Sequence, residues 1–511
     1  MSGSIVDLSH GGAVPPGAVD VCVIGSGCGG ATSAWELAAA GRDVVVLEEG
    51  GDYTGTQLTQ RDGAMYDQLY MDRGGRSTTD LSIQVLQGRA LGGGGVINAC
   101  DVVPMPDAVA EHWQRRYGLT EFSSEALAPF RARALEDLSV NDPDPSLINL
   151  NNRLLERGTL ALGWRGEFMR HNRRGCAGVG ACLIGCPLNA KRNPRFVAIP
   201  AAFEAGARFF TRARAVRIEH ANAEIKTVRI RRFDSRGYHE RDELTVRARV
   251  VVLAANAIAS AQLLLRSGVG NEHVGQHLSL QPQLPVDAQF REEVRFHRGI
   301  PQSFAVTQFE RHDDAEHGLW GFRIESIGGT PGIAASMLPF FGAEGKDLMR
   351  LYTHGAAALL LCPDDARGRV RVESTGRLRI EYSIDEEQRA RFRAAVRAAA
   401  RAYFAAGALQ VVVPTSPPVI LHSERDLDRV DSLAFRPASA PFISAHQQGG
   451  VRMAPSPRDG AASPTGEVYG TRDVYVFDSA GYPSSSSSHT MTPIITTSRF
   501  LTQRLLTRMR A

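Results

Sequence analysis

Two histidines near the C-terminus stand where a side chain could move a proton. His446 lies in a turn flanked by glycines, in the stretch Ser-Ala-His-Gln-Gln-Gly-Gly at 444–450. His489 follows a run of five serines and opens a C-terminal amphipathic helix. Imidazole titrates near neutral pH, so it can take up a proton and return it. Both histidines lie in segments of the kind that meet a ligand, and the pair predicts general-base chemistry.

A glycine pattern near the N-terminus predicts a dinucleotide site. An apolar strand at 19–24 is followed by Gly25, Gly27 and Gly30, by a helix at 31–40, and by a second strand at 44–47 that ends in Glu48. In this order the glycines allow a tight turn, a close approach to a pyrophosphate, and close packing of helix on strand. The acid is placed to accept hydrogen bonds from a ribose. The pattern alone does not separate FAD from NAD.

A second glycine cluster lies at 88–98, with four consecutive glycines at 92–95 and Asn98 at its end. A backbone free of side chains can lie close to a flat or anionic group, such as the rest of a long cofactor. A flexible loop is the alternative interpretation of this segment.

Composition bounds the remaining classes. The chain has 511 residues, 43% of them hydrophobic and 22% charged, which predicts a globular protein of two or three domains. Its formal net charge of +3 is spread without a basic stripe, so no nucleic-acid partner is expected. No secretory leader and no membrane span of about 18 apolar residues is evident, and a soluble, cytoplasmic protein is predicted.

Four separated motifs resemble the glucose-methanol-choline (GMC) flavoprotein oxidoreductases. They are the N-terminal glycine turn, the segment 88–98, the segment 256–270, and the two histidine segments, in the family's order. Within 256–270, Asn256 stands where the family motif usually has glycine. The His446 segment, a cysteine cluster from Cys176, and Trp113 with the stretch 119–140 look like the long-chain alcohol oxidase branch.

The resemblance implies an α/β fold with two domains. A Rossmann-type FAD-binding domain would be built from the discontinuous segments 1–105, 190–285 and 440–511. An α+β substrate domain, or cap, with an antiparallel sheet would comprise 106–189 and 286–439, including a cysteine-rich lid.

The resemblance also implies the residues that bind FAD. The ADP half would lie against Gly25, Gly27, Gly30 and Glu48, with the backbone of Val216 at the adenine. The pyrophosphate, ribityl chain and flavin ring would lie near Gly93, Gly94, Asn98, Asp478 and Met491. Some members tether FAD to a histidine just before the asparagine of the glycine-rich motif. Ile97 occupies that position here, so non-covalent FAD is expected.

The implied reaction is oxidation of an alcohol to a carbonyl by hydride transfer to flavin N5. His446 matches the family's proton acceptor, and His489 matches the second active-site histidine, which hydrogen-bonds the same oxygen. The partners would be a small-molecule alcohol and oxygen or another electron acceptor. Two other functions stay open, a redox-neutral GMC lyase and a non-catalytic dinucleotide-binding protein.

The cysteine cluster admits two interpretations. Cys176, Cys182 and Cys186 have a spacing close to that of iron–sulfur ligands in some GMC dehydrogenase subunits. A turn-rich lid whose thiols pack as small hydrophobes is favoured, as the resemblance to the long-chain alcohol oxidase branch implies. Zinc is not expected, because no fourth ligand lies nearby.

Apolar and aromatic residues of the cap region predict a lipophilic substrate pocket. They are Phe309, Trp320, Phe322, Met337, Leu338, Phe340 and Phe341. No cage of aromatic residues and a carboxylate for a quaternary ammonium group is evident, so a choline-type substrate is not expected.

Overall fold

Two large sheets organise the chain, which the computed structural model describes for residues 3–311 and 321–510. The strands are β1 (Ser4–Asp7), β2 (Ala18–Ile24), β3 (Val44–Leu47), β4 (Ile83–Val85), β5 (Gly166–Phe168), β6 (Arg208–Thr211), β7 (Ala213–Glu219), β8 (Lys226–Phe233), β9 (Glu240–Leu253), β10 (Gln283–Gln289), β11 (Phe304–Val306), β12 (Arg323–Ser326), β13 (Gly355–Leu361), β14 (Arg369–Val372), β15 (Leu378–Glu381), β16 (Gln410–Val413), β17 (Val419–Leu421), β18 (Phe442–Ser444) and β19 (Val474–Val476). The α-helices are α1 (Cys28–Ala39), α2 (Asp62–Leu69), α3 (Asp107–Tyr117), α4 (Ser124–Asp137), α5 (Leu150–Ala161), α6 (Ala198–Glu204), α7 (Asn256–Ser267), α8 (Pro331–Met337), α9 (Gly342–Arg350), α10 (Glu386–Ala405) and α11 (Met491–Arg508).

The first sheet has the strand order β1-β6-β3-β2-β9-β8-β7, and β19 also pairs with β9. The pairs from β1 to β9 are parallel, whereas β9, β8 and β7 are antiparallel to one another. The strands at the centre read as apolar runs because they are buried: α1 packs on β2 and β3 and is itself covered by α6 and α11. This is a Rossmann-type sheet whose parallel strands end at one edge.

The second sheet has the strand order β17-β16-β10-β13-β12-β11-β5, with antiparallel pairing throughout this path. Helices α5 and α10 pack on one face of it. Leu284, Val286 and Ala288 of β10 point to that face and are fully buried. The alternate residues of β10 therefore point to the opposite face of the sheet.

The predicted fold class is confirmed, with a Rossmann-type sheet assembled from discontinuous segments and a second, antiparallel sheet. The proposed boundaries of the two domains stay a prediction. Strands β4 and β18, which lie in segments assigned to the FAD domain, pair with each other, and β18 joins the second sheet at β10. No helix in the described ranges is long and apolar enough to cross a membrane.

Candidate active site

A cavity of about 630 Å³ joins the carboxyl edge of the Rossmann-type sheet to the open face of the antiparallel sheet. Most of the residues predicted for cofactor and substrate line it together. They are Gly25, Gly27, Glu48, Gly93, Gly94, Asn98, His446, Asp478, His489 and Met491. Gly30 and Val216 do not belong to this lining. The residues that do line the cavity come from distant segments of the chain, which therefore meet at one site.

The glycine turn after β2 depends on two glycines for local reasons. Gly25 has a φ of +100°, a conformation that side chains disfavour. A Cβ at Gly30 would lie 1.9 Å from the carbonyl oxygen of Gly25. Gly30 therefore serves the packing of α1 against the turn, and Gly25 also borders the cavity.

A second close approach lies where the two glycine clusters cross. Gly93 has a φ of +57°, and a Cβ there would lie 2.7 Å from the Cα of Gly27. A Cβ at Gly94 would meet nothing within 4 Å, because this residue faces the open cavity. At this crossing, the backbones of both glycine clusters carry no side chains and lie beside the start of α1.

The start of α1 can receive an anion. Its N-cap residue, Gly27, provides no side-chain cap, and Cys28 and Gly29 line the cavity. The free amides of a helix N-terminus and the helix dipole favour a phosphate at that place. The residues present therefore fit the pyrophosphate of a dinucleotide cofactor.

Glu48 ends β3 at the cavity and is held in one orientation. One carboxylate oxygen accepts hydrogen bonds from the amide and hydroxyl of Ser26, at 3.1 and 2.7 Å, and the other accepts from the amide of Gly50 at 2.8 Å. Burial raises the pKa of this carboxyl group. Its place beside the turn suits the ribose role that the sequence predicts.

Val216, predicted to meet the adenine through its backbone, lies in an irregular part of β7. β7 has a register irregularity between Ala215 and Arg217, and Ala213, Arg214 and Ala215 line the cavity in place of Val216. The assignment of the Val216 backbone to the adenine stays a prediction.

Asp478 ties the C-terminal loop to the start of α7. Its carboxylate accepts hydrogen bonds from the amide of Asn256 at 2.8 Å and from the hydroxyl of Ser260 at 2.9 Å. Burial raises the pKa of Asp478 to about 6. Asn256 has a φ of +74°, which explains how it replaces glycine, because asparagine tolerates the left-handed region.

Asn98 and Met491 are neighbours at the middle of the cavity. The amide nitrogen of Asn98 lies 3.4 Å from the sulfur of Met491 at the start of α11. This contact brings the end of the second glycine cluster against the C-terminal helix.

His446 is partly exposed to the cavity, and its ring lies beside that of His489, with 5.1 Å between the centroids. Its Nδ1 lies 3.1 Å from the side-chain amide nitrogen of Gln283, so Nε2 is left toward the cavity. Burial, followed by the positive charge of His489, lowers the pKa of His446 to about 3. His446 is therefore uncharged at neutral pH, the state that a base requires.

Both ring nitrogens of His489 are engaged. Its Nδ1 lies 3.3 Å from the backbone carbonyl of Asp101, and its Nε2 lies 3.0 and 3.1 Å from the carboxylate oxygens of Glu325. Two acceptors require a proton on each nitrogen, which is the imidazolium form. Burial opposes that charge, but the neighbouring carboxylate of Glu325 outweighs it and raises the pKa of His489.

Glu325, on β12, is fully buried. It accepts a hydrogen bond from Nε of Arg323 at 2.6 Å and another from the side chain of Gln302. Burial opposes its charge, yet His489 and Arg323 lower the pKa of Glu325 to about 2. The site thus holds one neutral and one charged histidine, and a buried carboxylate keeps the second one charged.

Sequence reasoning missed Gln283, Gln302, Arg323 and Glu325. The sequence carried only a weak signal that these residues belong to the site. Arg323 and Glu325 are charged residues in a short strand flanked by apolar Phe322 and Ile324, which is unusual for a buried strand.

The cysteine loop contacts the second glycine cluster through Lys191. Its ammonium group donates hydrogen bonds to the carbonyls of Val96, Asn98 and Cys182 at 2.8, 2.6 and 3.0 Å. Cys176, Cys182 and Cys186 are free thiols, and across the described residues no group of three His, Cys, Asp or Glu could hold a metal ion. That these cysteines bind no cluster stays a prediction.

The residues predicted for a lipophilic pocket separate in the structure. Met337 lines the cavity. Phe309 and Phe322 stack on each other with centroids 4.8 Å apart, and Phe341 is 88% exposed. Trp320 lies outside the described residues.

The fold and the site together define a Rossmann-type oxidoreductase with a second, antiparallel domain. GMC oxidoreductase family models match residues 66–283 and 364–498, and a model of NAD(P)-binding Rossmann-like domains matches residues 23–84. The chain belongs to the GMC oxidoreductase family and is an enzyme acting on CH-OH donors, with FAD as the cofactor that the family implies.

Individual relatives agree with this assignment. An uncharacterized GMC-type oxidoreductase of Mycobacterium tuberculosis is 33% identical over 474 residues, which cover 91% of this chain and 72% of the relative. The long-chain-alcohol oxidase FAO3 of Arabidopsis thaliana is 25% identical, over 95% of this chain and 67% of the relative.

Solved structures share the fold. Pyridoxine 4-oxidase from Mesorbium loti superposes with a TM-score of 0.70 at 17% identity, covering 95% of this chain and 99% of that one. A formate oxidase variant from Aspergillus oryzae gives a TM-score of 0.69 at 13% identity, covering 100% and 99%.

Replacing Gly93 with alanine is expected to weaken FAD binding about 10-fold, because an L-residue is about 1–2 kcal/mol less stable in this left-handed conformation and would relax away from the geometry that would hold the cofactor. The added Cβ would also collide with Gly27. Titration of the apoprotein with FAD, followed by flavin fluorescence, measures the change. Gly17→Ala is the control, since a Cβ there meets nothing within 4 Å. Equal affinities for FAD in the two variants would contradict the crossing as a cofactor cradle.

Proposed function

We propose that this protein oxidises a lipophilic alcohol to its carbonyl compound with non-covalent FAD, using His446 as the base. The observation that supports this most directly is that the rings of His446 and His489, 5.1 Å apart, share a cavity with Gly27, Gly93 and Glu48. Oxidation of an alcohol needs a base at the hydroxyl group beside an acceptor of two electrons.

The cofactor would be held by the two glycine clusters, the start of α1 and Glu48. When bound, FAD supplies the acceptor of two electrons. Ile97 lines the cavity and carries no nucleophile, which supports non-covalent binding.

His446 would take the hydroxyl proton at Nε2. This role requires that Nδ1 carry a proton and donate it to an acceptor. In the structure the amide nitrogen of Gln283 faces Nδ1, and a half-turn of the amide group would bring its oxygen there as the acceptor. Amide nitrogen and oxygen occupy nearly the same space, so Gln283 selects the tautomer without moving its backbone.

His489 would act through its charge. Because Asp101 and Glu325 engage both of its nitrogens, the ring need not contact the substrate oxygen to stabilise it. A fixed positive charge beside the developing alkoxide lowers the cost of removing the proton. This refines the hydrogen-bonding role expected from the sequence.

The substrate would be lipophilic because apolar side chains of the cap line the cavity that the two histidines share. They include Phe296, Ile333, Met337, Leu359 and Leu361. The relatives named as long-chain-alcohol oxidases accord with such a substrate.

Anaerobic addition of alcohols to the purified holoenzyme tests the proposal. Long-chain alcohols are expected to bleach the flavin absorbance faster than short-chain alcohols, because the cavity lining is apolar. Admission of air then tests whether oxygen accepts the electrons. Acid denaturation tests the non-covalent binding of FAD and is expected to release the flavin into solution. Bound flavin that no alcohol bleaches would contradict the proposal and favour a redox-neutral reaction.

A further inference from the structure

The open face of the antiparallel sheet forms one wall of the cavity. In β10 and its neighbour β13, Gln283 pairs with Leu361, Pro285 with Leu359, and Asp287 with Ala357. All six residues line the cavity. Alternate residues along both strands therefore face the same space, and Asp287 is the acidic one among them.

Asp287 has no partner. Within the described part of the chain, no hydrogen bond or salt bridge reaches its carboxylate, although the carboxylates of Asp478, which also lines the cavity, and of Glu325, behind His489, both accept hydrogen bonds. Its side chain cannot turn to the core, since Val286 and Ala288 occupy that face of β10. Burial raises the pKa of Asp287 to about 7.

Burial, followed by the charge of Asp287, raises the pKa of the buried Tyr403 phenol on α10, and the neighbours of Asp287 on the cavity side are apolar. Its cross-strand partner, Ala357, accepts a hydrogen bond from the amide of Ile327 at 3.0 Å, and the ring of Phe296 approaches Gly355 two residues away. Phe296 and Ile327 also line the cavity. A carboxylate in such a place carries a desolvation cost that a donor from a ligand would offset.

Asp287 lies at a defined distance from the base. Gln283, four residues earlier on β10, contacts His446. A strand advances about 3.3 Å per residue, so Asp287 lies roughly 13 Å along the wall from that contact. This span corresponds to about ten single bonds of an extended carbon chain, each about 1.5 Å long and set at the tetrahedral angle.

We propose that Asp287 determines specificity by binding a hydrogen-bond donor at the far end of the substrate, which is a lipophilic alcohol with a hydroxyl or amino group about ten bonds from the reacting carbon. The inference rests on the proposed function and adds a second polar group to the proposed substrate. The apolar walls bind the body of the substrate, His446 meets one end, and Asp287 meets the other.

Three alcohols of equal length test the proposal: decanol, the ω-diol and the ω-amino alcohol. Wild-type holoenzyme is expected to show a KM about 10- to 100-fold lower for the two donor-bearing alcohols than for decanol, in proportion to one hydrogen bond to a charged group. In Asp287→Asn, that preference is expected to shrink at least about 10-fold with kcat changed little, because the group lies far from the reacting carbon. Steady-state kinetics over the three substrates measures both effects.

Glu293→Gln is the matched control, since it makes the same chemical change on an exposed carboxylate of the cap. It is expected to keep the wild-type preference. Equal KM values for the three alcohols in wild-type enzyme, or an unchanged preference in Asp287→Asn, would overturn the proposal.

Binding without turnover separates this proposal from the proposed function. Decylamine has no alcohol group, and its binding is read from perturbation of the flavin absorbance. Binding that weakens about 10-fold or more in Asp287→Asn supports the assignment even if no alcohol reduces the flavin, a result that would sink only the proposed function. Equal binding of decylamine to both proteins would overturn the assignment even if alcohols are oxidised.

Discussion

Replacing His446 with alanine is expected to slow anaerobic reduction of the flavin by alcohol about 10²- to 10⁴-fold while FAD stays bound. The loss follows from the geometry, because Nε2 of His446 faces the cavity and both nitrogens of His489 are already engaged. Neighbouring His489 cannot replace the missing base. Stopped-flow absorbance of the flavin under anaerobic conditions measures the rate.

Two comparisons sharpen this prediction. His422→Ala removes an exposed imidazole outside the cavity and is expected to keep the wild-type rate. Added imidazole is expected to restore part of the rate in His446→Ala, because the substitution leaves space at the site of the lost ring. A His446→Ala protein with its flavin and a wild-type rate of reduction would rule out His446 as the base.

The pH profile of the same rate follows from the two histidines. Because burial and the charge of His489 lower the pKa of His446 to about 3, the wild-type rate is expected to show no loss on acidification through about pH 6.5, where an ordinary histidine titrates. The raised pKa of His489 predicts a loss on the alkaline side, as its positive charge disappears. An acid limb near pH 6.5 that depends on His446 would contradict this arrangement.

Replacing Glu325 with glutamine is expected to slow flavin reduction about 10²- to 10³-fold, because the neutral amide no longer holds the charge on His489. The pKa of His489 is expected to fall, so that the alkaline limb of the pH profile moves to lower pH. The substitution also removes the buried carboxylate that Arg323 and His489 share, and the free energy of unfolding is expected to drop by about 3 kcal/mol. Stopped-flow reduction and denaturant unfolding measure the two effects.

Glu310→Gln provides a matched control for Glu325→Gln. Glu310 also pairs with Arg323, at 2.7 Å, but the carboxylate that pairs with His489 is that of Glu325. It is expected to keep the rate of reduction and the pH profile. A similar loss of rate in both variants would mean that Arg323, and not the charge on His489, carries the effect of Glu325.

The ion pair also gives stability a pH dependence. The pKa of His489 is raised by folding, so its contribution is complete below the ordinary histidine pKa and is lost as the pH rises through the raised value. The pKa of Glu325 is lowered, so its contribution is complete above the ordinary glutamate pKa and is lost as the pH falls through about 2. Stability from this pair is therefore greatest on the mildly acidic side of neutrality.

Local features could be predicted because their causes lie within a few residues. The turn at Gly25 needs a positive φ, and Gly30 must clear a carbonyl five residues earlier, so the glycine pattern carries the geometry in its own spacing. The same holds for Glu48, which follows directly from β3. No local pattern in the sequence shows that His446 and His489 share one site. That expectation came from the family resemblance, because the two histidine segments follow the order of the family's motifs.

The amino-acid sequence by itself determined the class of fold, the dinucleotide turn and the two histidines. Only the tertiary structure decided how those histidines differ, because Gln283 is 163 residues from His446, and Glu325 is 164 residues from His489. Contacts between such distant residues depend on how the two sheets meet around the cavity. Asp287 belongs to the same group: along the chain it is one acid in an apolar strand, and its strand register places it in the cavity without a partner.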